Sequence, residues 1–421
     1  MTKGSTISKK ILLIEIIAFA CFVASLAVQG LVYEREGRYF DTQAEIGNTW
    51  GAPQTILGPI LVMEQGDTTT YILPEQLEIE STVNPELRSR GIFNTVVYQE
   101  KIVVKGIFST DNIDTQLRQL TPKFIVSLTD TRSIEEMVTL SWNDTEIPFE
   151  PGTTNNTVGE SGLHASVPLS YNKEQYDFAF ELNLKGSEQV SFVPVGQETV
   201  VRLSSSWNSP SFNGAYLPNE RTISESGFDA VWKVSAFGRS YPQVWTEEGT
   251  VTDKYMVRGN LLSSQFGVEL DEGVDIYTQV FRSIKYAILF ILITFTAFFL
   301  FETLLKIRVH PIQYLLIGVS LALFYLLLLS MTEHIGFLLA YLIASTMVIV
   351  LITTYSISVL KQKSRAFYVF SILTALYSYM YFVLKLEDYA LLFGSFLVFV
   401  LIATVMYLTR NINWYLDSET T

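Results

Sequence analysis

Cysteine is almost absent from this sequence and histidine is scarce, and both shortages exclude chemistry. The lone thiol, Cys21, lies inside the first apolar run, so no intramolecular disulfide can staple the fold. The three histidines, His164, His310 and His334, make a multi-histidine metal site an unfavourable reading. Charged residues make up 17% of the chain, against about a quarter in a soluble domain; the deficit points to membrane segments. The phosphate-binding GxxxxGK, the dinucleotide GxGxxG, the metalloprotease HExxH and the hydrolase GxSxG are all missing. Ser204–Ser211 is rich in serine, but a serine nucleophile needs a positioned base. His164 is the only histidine available to it in that part of the chain, so the segment reads as a turn or binding loop.

What the sequence does hold is long apolar runs. Crossing the hydrocarbon core takes about 20 mostly apolar residues, and six stretches qualify: 11–32, 284–305, 312–331, 335–360, 366–384 and 389–408. The first could be read as a cleaved signal peptide, because basic residues precede it and Ser25-Leu26-Ala27 is composed of small side chains. Glu15 within the run, and the run's length, favour an uncleaved anchor. The short flanks set the orientation. Lys3, Lys9 and Lys10 precede the first span, Lys306 and Arg308 follow the second, Lys361, Lys363 and Arg365 follow the fourth, and Arg410 follows the sixth. The intervening loops, Thr332–His334 and Lys385–Asp388, are poor in positive charge. Both termini (1–10 and 409–421) are therefore expected in the cytoplasm, with 33–283 outside. Tyr33, Tyr39, Tyr277, Tyr286, Tyr407, Trp414 and Tyr415 fall where interfacial aromatic belts are expected.

Residues 33–283 carry 35 Asp/Glu against 18 Lys/Arg, a net −17, while the rest of the chain carries 7 against 11, a net +4. An acidic domain is a poor match for nucleic acid, whose binding relies on Lys and Arg neutralising phosphate. The exported part reads as β-rich. Tyr176, Phe178, Phe180, Leu182 and Leu184 alternate with polar or small residues, as do Phe228, Ala230, Trp232, Val234 and Ala236. Ile56–Met63, Leu77–Thr82, Val96–Val104 and Phe124–Leu128 are further strands. Gln189–Val195 and Thr199–Ser205, joined by Gly196-Gln197, are expected to form a hairpin. The fold class is thus an α+β membrane protein, with one N-terminal and five C-terminal helices and a large β-rich periplasmic domain. One sheet or two is left open.

Ionisable groups within or beside the spans are the first candidates for function. Glu15 lies one turn into the first span and Glu302 near the inner end of the second; interface snorkelling or pairing between spans is the plain reading, and a proton or ion relay the alternative. Arg308-Val309-His310-Pro311 enters the third span, with Pro311 suited to a first helical turn. Glu333 beside His334 can hold a proton near neutral pH or simply close a helical hairpin. No cofactor or metal is expected.

Several of these segments also carry a resemblance. Gly58-Pro59, Arg90-Gly91-Ile92-Phe93, Pro210-Ser211-Phe212, Leu217-Pro218 with Arg221, and Gly227-Phe228 mark the outer domain. His310-Pro311-Ile312-Gln313-Tyr314-Leu315, Glu333-His334-Ile335-Gly336-Phe337 and Leu386-Glu387-Asp388-Tyr389-Ala390-Leu391 mark the membrane half. In these the chain closely resembles the CreD family of bacterial inner-membrane proteins, also called cell envelope integrity or colicin-tolerance proteins. Glu64, Val96 and Gly273 depart from it, standing where proline is expected. The resemblance implies an envelope-maintenance role in the inner membrane and supplies no catalytic set; the missing catalytic motifs and the acidic exported domain make a non-enzymatic role the leading expectation. It draws Arg221, Gln313, Glu387 and Asp388 into the candidate functional positions beside Glu15, Glu302, His310, Glu333 and His334. The expected partners are the lipid bilayer and a periplasmic or inner-membrane protein. A lipid or solute transporter and a membrane sensor component are the alternatives.

Overall fold

The computed structural model describes residues 3–111, 117–170, 173–248, 258–270, 274–304, 307, 309–386 and 389–410. They divide into two compact units, one within 1–39 and 274–421, the other within 40–273.

The first unit is helical. Its opening helix, α1 (Lys3–Trp50), runs well past the span end expected at Val32 and reaches into the second unit. The physical reason is local. No proline occurs before Pro53, Arg38 pairs one turn back with Glu34 at 2.6 Å, and the Gly51 N–H closes the last turn on the Gly47 carbonyl at 2.8 Å. The β-rich region therefore begins after Trp50 rather than at residue 33. The second apolar run forms α3 (Ala287–Leu304), preceded by the more polar helix α2 (Val274–Lys285); the two meet at Tyr286, at the start of the run, with a bend of 40°. Then come α4 (Pro311–Ile335), α5 (Phe337–Leu360), α6 (Lys363–Lys385) and α7 (Ala390–Thr409). Among the described residues five helices are long and apolar enough to cross a membrane, and six if the bent pair is one span.

Helix α4 begins at a capping box: the Ile312 N–H donates to His310 Nδ1 at 3.4 Å, and the His310 N–H donates to Gln313 Oε1 at 2.9 Å. Pro311 occupies the first turn, where its missing N–H costs nothing. Gly336 joins α4 to α5 at φ +75°, a left-handed conformation that side chains resist, and its N–H returns to the Thr332 carbonyl at 3.1 Å. Mid-bundle packing is aromatic. The Phe324 ring lies 5.0 Å from Tyr325, 5.5 Å from Tyr341 and 4.8 Å from Tyr377, and Tyr341 donates to the Tyr377 carbonyl at 2.7 Å.

Gly318 lets α1 approach α4. A Cβ there would collide with Cys21 Sγ and lie 2.9 Å from Phe295 Cζ. Gly318→Val is therefore expected to force α1 outward and lower stability by about 2 kcal/mol. Cys21, now buried, should become accessible to maleimide in detergent; unchanged labelling and melting would show that the contact is slack.

The second unit is a sandwich of two sheets. One has the strand order 211–214, 266–269, 189–192, 54–65, 123–128, 162–166, 150–151, with 68–72 pairing on 54–65 and 244–248 on 68–72. The other runs 220–224, 227–235, 198–205, 76–90, 93–109, 175–187, 139–142, 145–148. The alternation of 175–187 survives as one buried and one exposed face. The two inner faces share one core. Phe124 of the first sheet packs 5.3 Å from Phe178 and 6.0 Å from Trp142 of the second, and Phe266 lies 5.5 Å from Trp232. Burying each such side chain contributes roughly 1.5–3 kcal/mol, which lets the domain hold without a disulfide.

The hairpin expected from Gln189 to Ser205 does not form. Gln189–Phe192 pairs parallel with 54–56 and antiparallel with 266–269, whereas Glu198–Ser205 joins the other sheet, parallel to 76–83. Pro194 has no N–H for a hairpin ladder, and Val193 and Val195 are both buried. The segment between the strands is thus a crossover from one sheet to the other.

Candidate functional site

In the helical unit the ionisable candidates gather into two clusters and one isolated group. The first cluster joins the start of α1 to the α3–α4 junction. Lys10 Nζ contacts Glu302 Oε1 directly and donates to the Val309 carbonyl at 2.8 Å. Glu302 also accepts from the Val309 N–H at 3.3 Å and, on its other oxygen, from the Tyr314 hydroxyl at 3.3 Å. One carboxylate therefore ties three segments together. His310 and Gln313 sit beside it, but they serve the helix cap rather than the ion pair.

The second cluster involves α1, α2 and the end of α4. Glu333, nearly buried, accepts from the Tyr277 hydroxyl at 3.1 Å and faces Arg35 at 3.9 Å. Tyr277 packs 6.1 Å from Tyr39. His334 is exposed next to it, so the structure pairs Glu333 with Tyr277 and Arg35 rather than with the adjacent imidazole. Glu387 and Asp388 lie outside the described residues.

Glu15 stands apart. It is exposed on α1 and, among the described residues, has neither hydrogen bond nor ion pair. It faces a groove of about 400 Å³ between α1 and α3. A second groove of about 590 Å³, between α3, α6 and α7, is walled by residues such as Leu300, Phe301, Ile372 and Leu401, with no charged group among the described residues of its wall.

In the sandwich, Arg221 is exposed on the edge strand 220–224, whose five residues all face solvent, with its guanidinium 6.0 Å from the Phe212 ring centre. Behind that edge, Thr82, Asn84, Ser204, Ser224, Ser226 and Asp229 help line a cleft of about 280 Å³. Within the core lies Glu100, 2% exposed. Ser81 Oγ donates to its Oε1 at 2.6 Å, and Oε2 has no partner among the described residues. Burial pushes its carboxyl up to about 7, against the opposing effect of the Ser81 hydrogen bond. Asp130 shows the reverse: hydrogen bonds from Arg132 hold it below the usual carboxylate range.

Lys10, Arg35, Tyr277 and Tyr314 complete the two clusters, and sequence reasoning named none of them as a partner. Tyr314 was within reach, four residues past His310. Glu100 was too, since it shares the buried phase of Tyr98, Ile102 and Val104. Among the described residues no group of three or more His, Cys, Asp or Glu is placed to hold a metal ion.

Similarity to known proteins follows the whole chain. The family described as Inner membrane protein CreD matches residues 6–415. Inner membrane protein CreD of Escherichia coli (strain K12) is 32% identical over 412 residues, covering 93% of this chain and 90% of that protein. The solved M1 zinc metallopeptidase of Deinococcus radiodurans aligns over 41% of this chain and 40% of that chain at 8% identity, with a TM-score of 0.20, a likeness too slight to bear on fold or activity. The family match takes in both the helical unit and the sandwich, with their end clusters and their cleft: the chain belongs to the CreD family of inner-membrane proteins.

Proposed function

We propose that this multi-pass protein supports envelope integrity and stress or colicin tolerance without catalysing a reaction. In this reading both termini are cytoplasmic, the sandwich is periplasmic, and the helices anchor it. The observation that carries the proposal is where the bundle keeps its charge. The ion pairs of Glu302 and Glu333 lie at helix ends, while the middle is packed with rings such as Phe324 and Tyr377. A conduit would place polar groups at mid-span or break its helices there. The envelope partner engages the exposed edge at Arg221 and the hydroxyl-lined cleft behind it.

A clean deletion strain should be more sensitive to detergent, β-lactam and colicin, with the wild-type gene restoring tolerance. A photo-crosslinker at Ile223 should capture an envelope protein in cells, and Arg221→Glu should weaken that capture several-fold. Normal tolerance in the deletion strain would remove the proposal.

Glu15 favours a second reading, movement of a lipid or small solute through the bundle, because it is an unpaired carboxylate at membrane depth. Neutralising Glu15, Glu302, Glu333 and His334 together should then abolish activity in a protein that still folds. Full complementation by that variant eliminates transport.

A further inference from the structure

We propose that the groove between α1 and α3 is a binding site for an amine-headed phospholipid, with Glu15 receiving the ammonium group. The inference is independent of the envelope role.

The groove's walls are apolar, among them Ile14 and Phe19 on α1 and Leu292 and Phe299 on α3; Glu15 and Thr296 are the polar side chains among its lining residues. Along α1 it extends from Ile11 to Phe19, about 12 Å at the helical rise. With the head at Glu15, the stretch from there to Phe19, about 6 Å, takes the first part of an acyl chain. Glu15 follows Lys10 by five residues, so its backbone lies about 7.5 Å further along the span. A glutamate side chain is short, and at that depth an unpaired carboxylate is costly. The nearest described base along α1 is Lys10, which is already held by Glu302 and the Val309 carbonyl. Glu15 thus has no cation of its own among the described residues while it borders a slot shaped for a hydrocarbon chain.

One molecule answers both features: a lipid whose tail fills the slot and whose head carries N–H donors. Phosphatidylethanolamine has three such donors on a compact ammonium. Phosphatidylcholine has the charge but no N–H, and phosphatidylglycerol has neither. The larger groove beside α7 offers the same apolar wall without a carboxylate among its described residues, so it should hold lipid tails with no preference for the head.

The test uses the full chain, extracted from vesicles containing equal parts of the three lipids and examined by native mass spectrometry. Phosphatidylethanolamine should be retained at least five-fold over the other two. Glu15→Gln should erase that preference, Glu15→Asp should keep most of it, and both variants should melt within a few degrees of wild type. Equal retention of the three lipids would overturn the proposal, as would a preference that survives Glu15→Gln. A Glu15-dependent dimer without retained lipid would overturn it in favour of a second copy as occupant. Should Glu15→Gln fail to fold, Leu292→Trp provides the second arm: filling the slot should lower phosphatidylethanolamine retention several-fold, and undiminished retention would again count against the site.

Discussion

Between pH 5 and pH 8 the β-sandwich is expected to lose roughly 2–3 kcal/mol of stability, and Glu100 accounts for the loss. Its carboxyl titrates at 4.5 in ordinary surroundings and at about 7 in the folded chain, with burial as the main cause. Folding therefore takes up a proton in the window between those values. Below about 4.5 the group is neutral in both states and carries no penalty. As pH rises through 7 the folded state must hold a buried carboxylate whose Oε2 lacks a partner, and stability falls until it levels off. Among the described residues the neighbours give no cationic relief: Ser81 supplies a single hydrogen bond, and Tyr98 shares the same face. Burial, reinforced by Glu100 itself, pushes the Tyr98 hydroxyl upward. Glu100→Gln should flatten the profile between pH 5 and 8 and unfold later than wild type at pH 8. Denaturant unfolding followed by tryptophan fluorescence reads this domain well, because every tryptophan except Trp414 belongs to it. A slope that persists in Glu100→Gln would assign the pH dependence to another group.

Glu302→Ala should have a comparable effect in the helical unit, a loss of about 3 kcal/mol. The substitution strands the Lys10 ammonium in a weakly polar setting and removes an acceptor from both the Val309 N–H and the Tyr314 hydroxyl. Neither side chain of the pair is fully buried, at 28% and 14% exposed, so solvent screening holds the cost near the lower end for a broken interior pair. The double variant Lys10→Met with Glu302→Leu should recover most of the loss, since it removes both charges at once. Thermal unfolding in detergent distinguishes the cases. A double variant as unstable as the sum of its parts would mean that the two residues act separately.

The membrane helices were legible because length and apolarity are sequence-level quantities, and the apolar runs of 312–331 and 335–360 need no partner to be recognised. The alternation at 175–187 and 227–235 was legible for the same reason: period 2 follows directly from a sheet with one buried face. The hairpin at Gln189–Ser205 failed because adjacency in sequence is only a bias toward pairing; Pro194 and the two buried valines send the second strand to the opposite sheet. The α1 extension to Trp50 was hidden because Tyr33–Trp50 lacks the apolar run that marked the span, although nothing in it breaks a helix. Site partners were least legible. Glu302 could be flagged as unusual within an apolar run, but that Lys10, 292 residues away, answers it is a tertiary fact. Glu100 was inside an expected strand, and its burial followed from the phase of Tyr98 and Ile102 once that phase was extended one step.

Cysteine labelling tests the proposed topology most directly, because the one native thiol, Cys21, is buried. Thr154→Cys and Gln362→Cys each place a thiol on an exposed loop position. A membrane-impermeant maleimide given to cells with only the outer membrane opened should label the first and spare the second until the inner membrane is lysed. Equal labelling of both before lysis would contradict the placement of the sandwich on one side and the α5–α6 loop on the other.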